Sequence, residues 1–324
     1  MTEWLLEVRG LKKYYPLSTG LHIGGHREFV KAVDGVSFNV REGEVLSLVG
    51  ESGCGKTTTG KVVVGLYEPS EGNIFFRGED ASPLAGRVPR RERQMVFQDP
   101  TAALNPRKTI FDSLNRPFRA QLKRDASNEE MHQLMEDVGL VPPEYFLHKY
   151  PHELSGGQKQ RVVVAQAIAL KPSFVVADEP VSSLDLSIRG QILNLLKDLQ
   201  RKFNLSILFI THDLAVARHV SDRVAIMYLG KIVELADSEE FFTNVMHPYA
   251  QALLGAALKA DPKANRMTEY KPLVGDVPSP INPPSGCRFR ARCPAAGVKC
   301  NKGELEPELV EFRPGHYVAC HICA

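Results

Sequence analysis

The chain reads as an α/β protein: a mostly parallel sheet covered by helices, an inserted helical subdomain, and a small cysteine-containing C-terminal appendage. Three observations carry this expectation. Short apolar runs such as Val45-Leu46-Ser47-Leu48-Val49 and Phe174-Val175-Val176-Ala177 alternate with helical stretches, as strands buried on both faces do between crossover helices. Between residues 100 and 170 a helical pattern, with turn signals at Asn105-Pro106 and Pro142-Pro143, interrupts that alternation. Beyond residue 258 the chain turns proline-rich, and five of its six cysteines fall in the last 38 residues.

Taken in order, residues 1–15 and 27–50 read as strands and turns. The run 45–49 leads directly into Gly50-Glu51-Ser52-Gly53-Cys54-Gly55-Lys56-Thr57-Thr58, a phosphate loop of the form G-x-x-x-x-G-K-[ST]. Its glycines let successive backbone N–H groups close around a phosphate, Lys56 reaches the β and γ oxygens, and the Thr57 hydroxyl suits Mg²⁺. The helix expected from residue 56 to 66 turns the positive end of its dipole toward the same phosphates. After Pro172 a buried strand ends at Asp178-Glu179. Asp178 is placed there as a Mg²⁺ partner, the alternative being an ordinary acidic strand end capping the next helix. Residues 188–203 form an amphipathic helix, with Ile188, Ile192, Leu195, Leu196, Leu199 and Phe203 on one stripe. Another buried strand, 206–210, runs into Thr211-His212-Asp213. Pro272, Pro278, Pro280, Pro283 and Pro284 then mark a linker before a small, separately stabilised tail.

Bulk properties narrow the class. The chain of 324 residues is 43% hydrophobic and 24% charged, with a formal net charge of +2, an ordinary composition without the basic excess of a nucleic-acid binder. No stretch approaches the roughly 18 apolar residues that span a bilayer, and the acidic N-terminus does not resemble a signal peptide. The expected location is the cytoplasm, with any membrane association supplied by a partner. In a reducing compartment the cysteine cluster reads as metal binding before disulfides.

About a hundred residues after the phosphate loop stands Leu154-Ser155-Gly156-Gly157-Gln158. A phosphate loop followed by this signature resembles the ATP-binding cassette (ABC) family, which implies a P-loop NTPase (RecA-like) core. The resemblance implies further roles. Glu179 would be the general base toward water, Gln98 the Q-loop residue joining the metal site to the helical subdomain, and His212 the switch histidine. Asp185, in Ser182-Ser183-Leu184-Asp185, would belong to the D-loop. The nucleotide contacts would be Gly50, Ser52, Gly53, Cys54, Gly55, Lys56, Thr57, Thr58, Gln98 and Asp178, with Mg²⁺ held by Thr57, Gln98 and Asp178. Tyr15 is the favoured adenine-stacking ring, with Phe29 as runner-up. Ser155, Gly156, Gly157 and Gln158 would act on ATP held by the opposite subunit, so that two cassettes enclose each nucleotide.

The resemblance extends past the cassette. His247-Pro248-Tyr249-Ala250-Gln251-Ala252-Leu253-Leu254, Pro278-Ser279-Pro280-Ile281-Asn282-Pro283-Pro284 and the segment 286–294 resemble the C-terminal region of oligopeptide and dipeptide importer ATPases. The cassette is expected over 1–256, with its helical subdomain over 100–170, and the importer-type region over 257–324. One departure is Val181-Ser182-Ser183, where the family more often has Thr and Ala. The implied function is ATP hydrolysis driving peptide uptake, with relatives that serve oligosaccharides or nickel as alternatives and a soluble, non-transport cassette ATPase as a distant one. The implied partners are a second cassette subunit (paralogue or self), two transmembrane permeases and an extracytoplasmic binding protein, with this chain at the cytoplasmic face of the membrane. Cys287, Cys293, Cys300 and Cys320 are spaced C-x5-C-x6-C-x19-C, wider than the usual structural zinc gaps. Resemblance to relatives carrying an iron–sulfur cluster favours [4Fe–4S], with Zn²⁺ as the alternative, Cys323 as a substitute ligand, and Arg288, Arg290 and Arg292 offsetting the negative charge.

Overall fold

A computed structural model describes residues 4–17, 28–82, 86–257, 275–301 and 306–322; Cys323 lies outside them. The chain folds into two compact units, one from Met1–Val40, Val45–Ala85 and Ile210–Ala324, the other from Arg41–Glu44 and Gly86–Phe209.

In the first unit, β1 (Leu6–Pro16) and β2 (Phe29–Val40) pair antiparallel, and β4 (Glu71–Phe76) and β5 (Glu79–Asp80) extend them in the order β2-β1-β4-β5. A second set is built on β3 (Val45–Val49), whose five residues are all buried, as its uncharged run requires. It runs parallel to β9 (Arg223–Tyr228), while β10 (Lys231–Asp237), β12 (His316–Val318) and β11 (Val310–Arg313) continue antiparallel. The expectation of parallel strands therefore holds at β3–β9 and gives way where short turns allow antiparallel neighbours. The helices are α1 (Lys56–Val63), α8 (Leu214–Val220), α9 (Ser238–Thr243), α10 (Pro248–Ala257) and α11 (Val298–Asn301).

The C-terminal residues do not rest on their own turns alone. Phe289 is buried with Tyr228, Phe241 and Tyr249 in one core cluster, its ring centroid 5.3 Å from Tyr228 and 5.4 Å from Tyr249. A tail of this size has too little apolar surface to fold unaided, and it takes part of its core from β9 and α10.

The second unit holds β6 (Arg93–Val96) parallel to β7 (Phe174–Asp178), with β8 (Ser206–Thr211) on the other side of β7 and carrying the chain across the unit boundary. Between β6 and β7 lies the expected helical stretch: α2 (Pro100–Ala103), α3 (Ile110–Pro117), α4 (Asn128–Asp137), α5 (Pro143–Leu147) and α6 (Gly156–Ile168). After β7, α7 (Leu186–Phe203) buries Ile192, Leu195, Leu196 and Leu199 from the predicted stripe. Its C-cap is Asn204 in the left-handed conformation. Among the described residues no helix is long and apolar enough to cross a membrane.

Candidate active site

The phosphate loop joins β3 to α1 in the first unit. Gly55, the N-cap of α1, has φ 111°, and a Cβ there would lie 2.1 Å from the Ala32 carbonyl oxygen. At Gly50 a Cβ would lie 2.2 Å from the Met227 oxygen, so packing as well as ligand approach demands glycine at both ends of the loop. Gly53 has open space around it but φ 79°. Lys56 is buried and its Nζ crosses the loop, donating to Gly50 O at 2.8 Å and Glu51 O at 3.0 Å. Burial pushes the Cys54 thiol up, against the opposing pull of Lys56.

Of the two adjacent tyrosines on β1, only one faces the loop. The Tyr14 hydroxyl is committed to the Asp34 carboxylate. Tyr15 hydrogen-bonds with the Thr58 side chain and meets Tyr67 edge-on at 6.3 Å, with the Lys13 ammonium 5.4 Å over its ring. Phe29, at the start of β2, pairs with Pro16 and is exposed. His212 follows β8, exposed, just before Asp213 caps α8 by accepting from Ala215 and Val216 N–H.

The second unit gathers the other candidates. Asp178 is buried at the end of β7, and Glu179 follows it in the left-handed region at φ 45°, a conformation that costs a non-glycine residue about 1–3 kcal/mol. Gln98 Nε2 donates to Glu179 Oε2 at 3.2 Å, so two residues 81 apart in sequence meet. Ser182 fastens the turn after Glu179, donating from its N–H at 3.2 Å and its hydroxyl at 3.1 Å to the Glu179 carbonyl. Val181, at the departure from the family pattern, is buried.

Ser155 is the N-cap of α6 in a reciprocal box. Its Oγ accepts from Gln158 N–H at 3.3 Å, and Gln158 Oε1 accepts from Ser155 N–H at 3.0 Å. Gly157 faces α7, where a Cβ would lie 2.7 Å from Ile188 Cγ2, and Gly156 faces Leu184, the residue before Asp185. Residues 156 and 157 are thus packed against the chain around Asp185.

Unforeseen in the sequence were the contacts that reach the phosphate loop from the C-terminal residues. Glu51 N–H donates to Tyr249 Oη at 3.0 Å, and the Glu51 carboxylate takes two N–H groups of Arg292 at 2.8 and 3.0 Å. His247 is buried, its pKa pushed down to about 4 by desolvation, and its neutral Nδ1 accepts from Tyr249 N–H at 3.1 Å. The arginines expected to offset a metal cluster are therefore otherwise engaged. Arg288 is paired with Asp34 and Glu306, Arg292 with Glu51, and Arg290 with the Ser285 carbonyl; guanidinium geometry favours paired carboxylate oxygens over sulfur. The only early signal was a carboxylate inside a loop that binds anions.

Cys287, Cys293, Cys300 and Cys320 are unpaired thiols. Burial pushes the Cys287 thiol up, the Phe289 N–H opposes, and Cys300, Cys320 and Cys293 add to the rise. Cys293 behaves likewise, with the Ala295 N–H opposing and Cys320 and Cys300 adding. Ile322 N–H approaches Cys320 Sγ at 3.5 Å. Three of the four sulfurs thus face an amide two residues on, a donor set that suits thiolates bound to a metal. The sulfurs do not converge further: among the described residues no group of three or more His, Cys, Asp or Glu is arranged to hold a metal ion.

Known proteins match this arrangement. Residues 33–182 match the family model described as ABC transporter, and residues 233–300 match that of the oligopeptide/dipeptide transporter C-terminal region. The oligopeptide transport ATP-binding protein AppF of Bacillus subtilis is 48% identical over 329 residues, spanning 99% of this chain and 98% of that protein. The chain belongs to the ABC transporter ATPases, in their oligopeptide/dipeptide branch. Among solved structures, the dimeric ABC cassette MJ0796 in a post-hydrolysis state bound to ADP and Pi is 27% identical with a TM-score of 0.61, over 72% of this chain and 98% of that one. The cbiO1 protein from Clostridium perfringens, 22% identical with a TM-score of 0.63 over 82% of this chain and 98% of its own, shares the fold. This ABC ATPase is an α/β P-loop NTPase that binds ATP.

Proposed function

We propose that this chain is the ATP-hydrolysing subunit of a di- or oligopeptide importer, one of two cassettes that enclose nucleotides between them. The observation that carries the cargo class is the full-length identity of 48% to an oligopeptide transport ATP-binding protein. The dimeric, ADP- and Pi-bound relative supports the paired arrangement. In this reading residues 1–256 are the cassette and 257–324 the importer-type region. Two permeases meet the segment 98–110 at the cytoplasmic face of the membrane, and an extracytoplasmic binding protein delivers the peptide.

The chemistry follows from the residues. Lys56 and the loop amides from Gly50 to Thr58 bind the β- and γ-phosphates, and Tyr15 carries the adenine. Thr57, Gln98 and Asp178 would hold Mg²⁺, which supplies positive charge on the phosphate oxygens. Glu179 accepts a proton from water as its oxygen attacks the γ-phosphorus and ADP leaves. Gln98 orients that carboxylate, and His212 faces the γ-phosphate. Ser155, Gly156, Gly157 and Gln158 of one cassette, with Asp185 behind them, close on the nucleotide of the other. Cells whose only copy carries Glu179→Gln should lose growth on di- and oligopeptides as the sole source of a required amino acid, while the free amino acid still supports them. Unchanged growth on peptides together with lost uptake of nickel or oligosaccharide would replace the cargo.

We also propose that Cys287, Cys293, Cys300 and Cys320 hold a [4Fe–4S] cluster, which would cross-link the tail. The three amide-facing sulfurs support this reading. Anaerobically purified protein should be brown, with about four irons and four sulfides per chain. Colourless protein with stoichiometric zinc would replace iron by Zn²⁺.

A further inference from the structure

Glu51 is an odd residue to find in an anion-binding loop. Its carboxylate follows the first glycine, and an unneutralised negative charge there would oppose a triphosphate. It is neutralised from the far end of the chain by Arg292, whose side chain is 7% exposed and whose guanidinium also lies 5.8 Å over the Tyr228 ring. Arg292 immediately precedes Cys293, in a turn closed by Arg292 N–H to Phe289 O at 2.9 Å and Arg290 N–H to Cys287 O at 3.2 Å. The same turn reaches the loop by a second path. Arg288 donates to Leu229 O at 2.6 Å, and the next residue, Gly230, donates to Cys54 O at 2.9 Å. The phosphate loop is therefore gripped at the Glu51 carboxylate, the Glu51 amide and the Cys54 carbonyl, all from outside the residues that contact phosphate.

We propose that the turn bearing Cys287 and Cys293 is a positioning element for the phosphate loop, acting through Arg292 on Glu51. ATP binding and the order of this turn then reinforce each other. The inference rests on ATP binding at the loop and is independent of which metal, if any, the cysteines hold. Coupling of this kind is reciprocal: whatever the ordered turn adds to ATP affinity, bound ATP adds to the stability of the turn.

ATP·Mg²⁺ is titrated into the full chain by calorimetry, and amide hydrogen exchange of residues 287–293 is followed with and without it. Arg292→Gln should weaken ATP about tenfold by leaving the Glu51 charge unpaired beside the phosphates. Adding Glu51→Gln to that chain should restore affinity to within about threefold, because the uncompensated charge is gone. Arg292→Lys, which keeps the charge and loses the paired geometry, should fall between. ATP should slow exchange in the turn of the wild type and leave it unchanged in Arg292→Gln. Unaltered ATP affinity in Arg292→Gln overturns the proposal. So does a loss that Glu51→Gln fails to recover, since Arg292 would then only fold the tail. If the variants do not fold, the wild type still decides: bound ATP without any slowing in residues 287–293 overturns it. A wild type that does not bind ATP at all would instead refute the nucleotide reading of the loop.

Discussion

Two helix starts in this molecule serve phosphate in the proposed mechanism, and they are built on opposite plans. At α1 the N-cap is Gly55, left-handed and with no side chain to cap the helix. At α6 the N-cap is Ser155, and Ser155 and Gln158 satisfy each other's amides at 3.3 and 3.0 Å. An α-helix leaves its first four N–H groups without helical partners. At α1 no N-cap side chain covers those donors, and the loop is shaped for a ligand by backbone contacts that exclude a Cβ. At α6 the box already occupies the Ser155 and Gln158 amides, as suits, in the proposed mechanism, a surface that meets ATP only when two cassettes close and must part afterwards. In the proposed mechanism this difference separates the half of the site that holds nucleotide by itself from the half that closes on it.

The largest effect expected from this comparison is at Glu179. Glu179→Gln should lower turnover by on the order of 10²–10⁴, because the amide keeps the size and cannot accept the proton. ATP should still bind, so α6 of one chain stays engaged with the nucleotide on α1 of another, and size-exclusion chromatography should show an ATP-dependent dimer. Hydrolysis at the wild-type rate would remove Glu179 from the role of base.

Next in size is a test of which start acts in which subunit. Lys56→Ala should abolish ATP binding by the isolated chain, whereas Ser155→Arg should leave that binding intact. Each alone should lose hydrolysis by on the order of 10²–10³. Mixed together they should regain activity from the one intact composite site per mixed dimer, if the chain pairs with itself. Demonstrated mixed dimers without recovery would show that Ser155 does not act across the interface.

The glycines carry the comparison into stability. Gly55→Ala forces a Cβ to within 2.1 Å of a backbone oxygen at φ 111°, and neither the carbonyl nor the dihedral relaxes readily, so about 3 kcal/mol should be lost. Gly157→Ala meets the Ile188 side chain at 2.7 Å, which can change rotamer, and alanine gains helix propensity; unfolding should shift by less than about 1 kcal/mol. Equal losses in denaturant titrations would erase the distinction between a loop set by backbone and one set by side chains.

How much of this was legible in the sequence depends on the range of the interaction. The phosphate loop, the signature and the strand ending at Asp178 are local patterns, and their spacing carried them. The commitment of the Tyr14 hydroxyl depends on where Asp34 lies across the sheet, information that no local pattern holds. The meeting of Gln98 with Glu179 spans 81 residues, and that of Glu51 with Arg292 spans 241. The first was reachable through family resemblance alone. The second was missed because three closely spaced arginines beside cysteines suggested a role toward metal, and the carboxylates that claim two of them, Asp34 and Glu51, are more than two hundred residues away in sequence.

The smallest effect separates the two plans most cleanly. Ser155→Ala removes the acceptor for Gln158 N–H and unlocks the Gln158 side chain, which should cost about 1 kcal/mol of stability. No matching cap exists at Gly55 to remove. A Ser155→Ala chain should therefore unfold at lower denaturant and still bind ATP as a monomer with wild-type affinity, since its loop is untouched. Raising ATP should stabilise both chains by the same increment, because a ligand held by α1 alone shifts the unfolding midpoint according to its own dissociation constant. If ATP stabilises the monomeric wild type more than the monomeric Ser155→Ala chain, α6 contacts nucleotide within one subunit, and the division of labour drawn from the two helix starts fails.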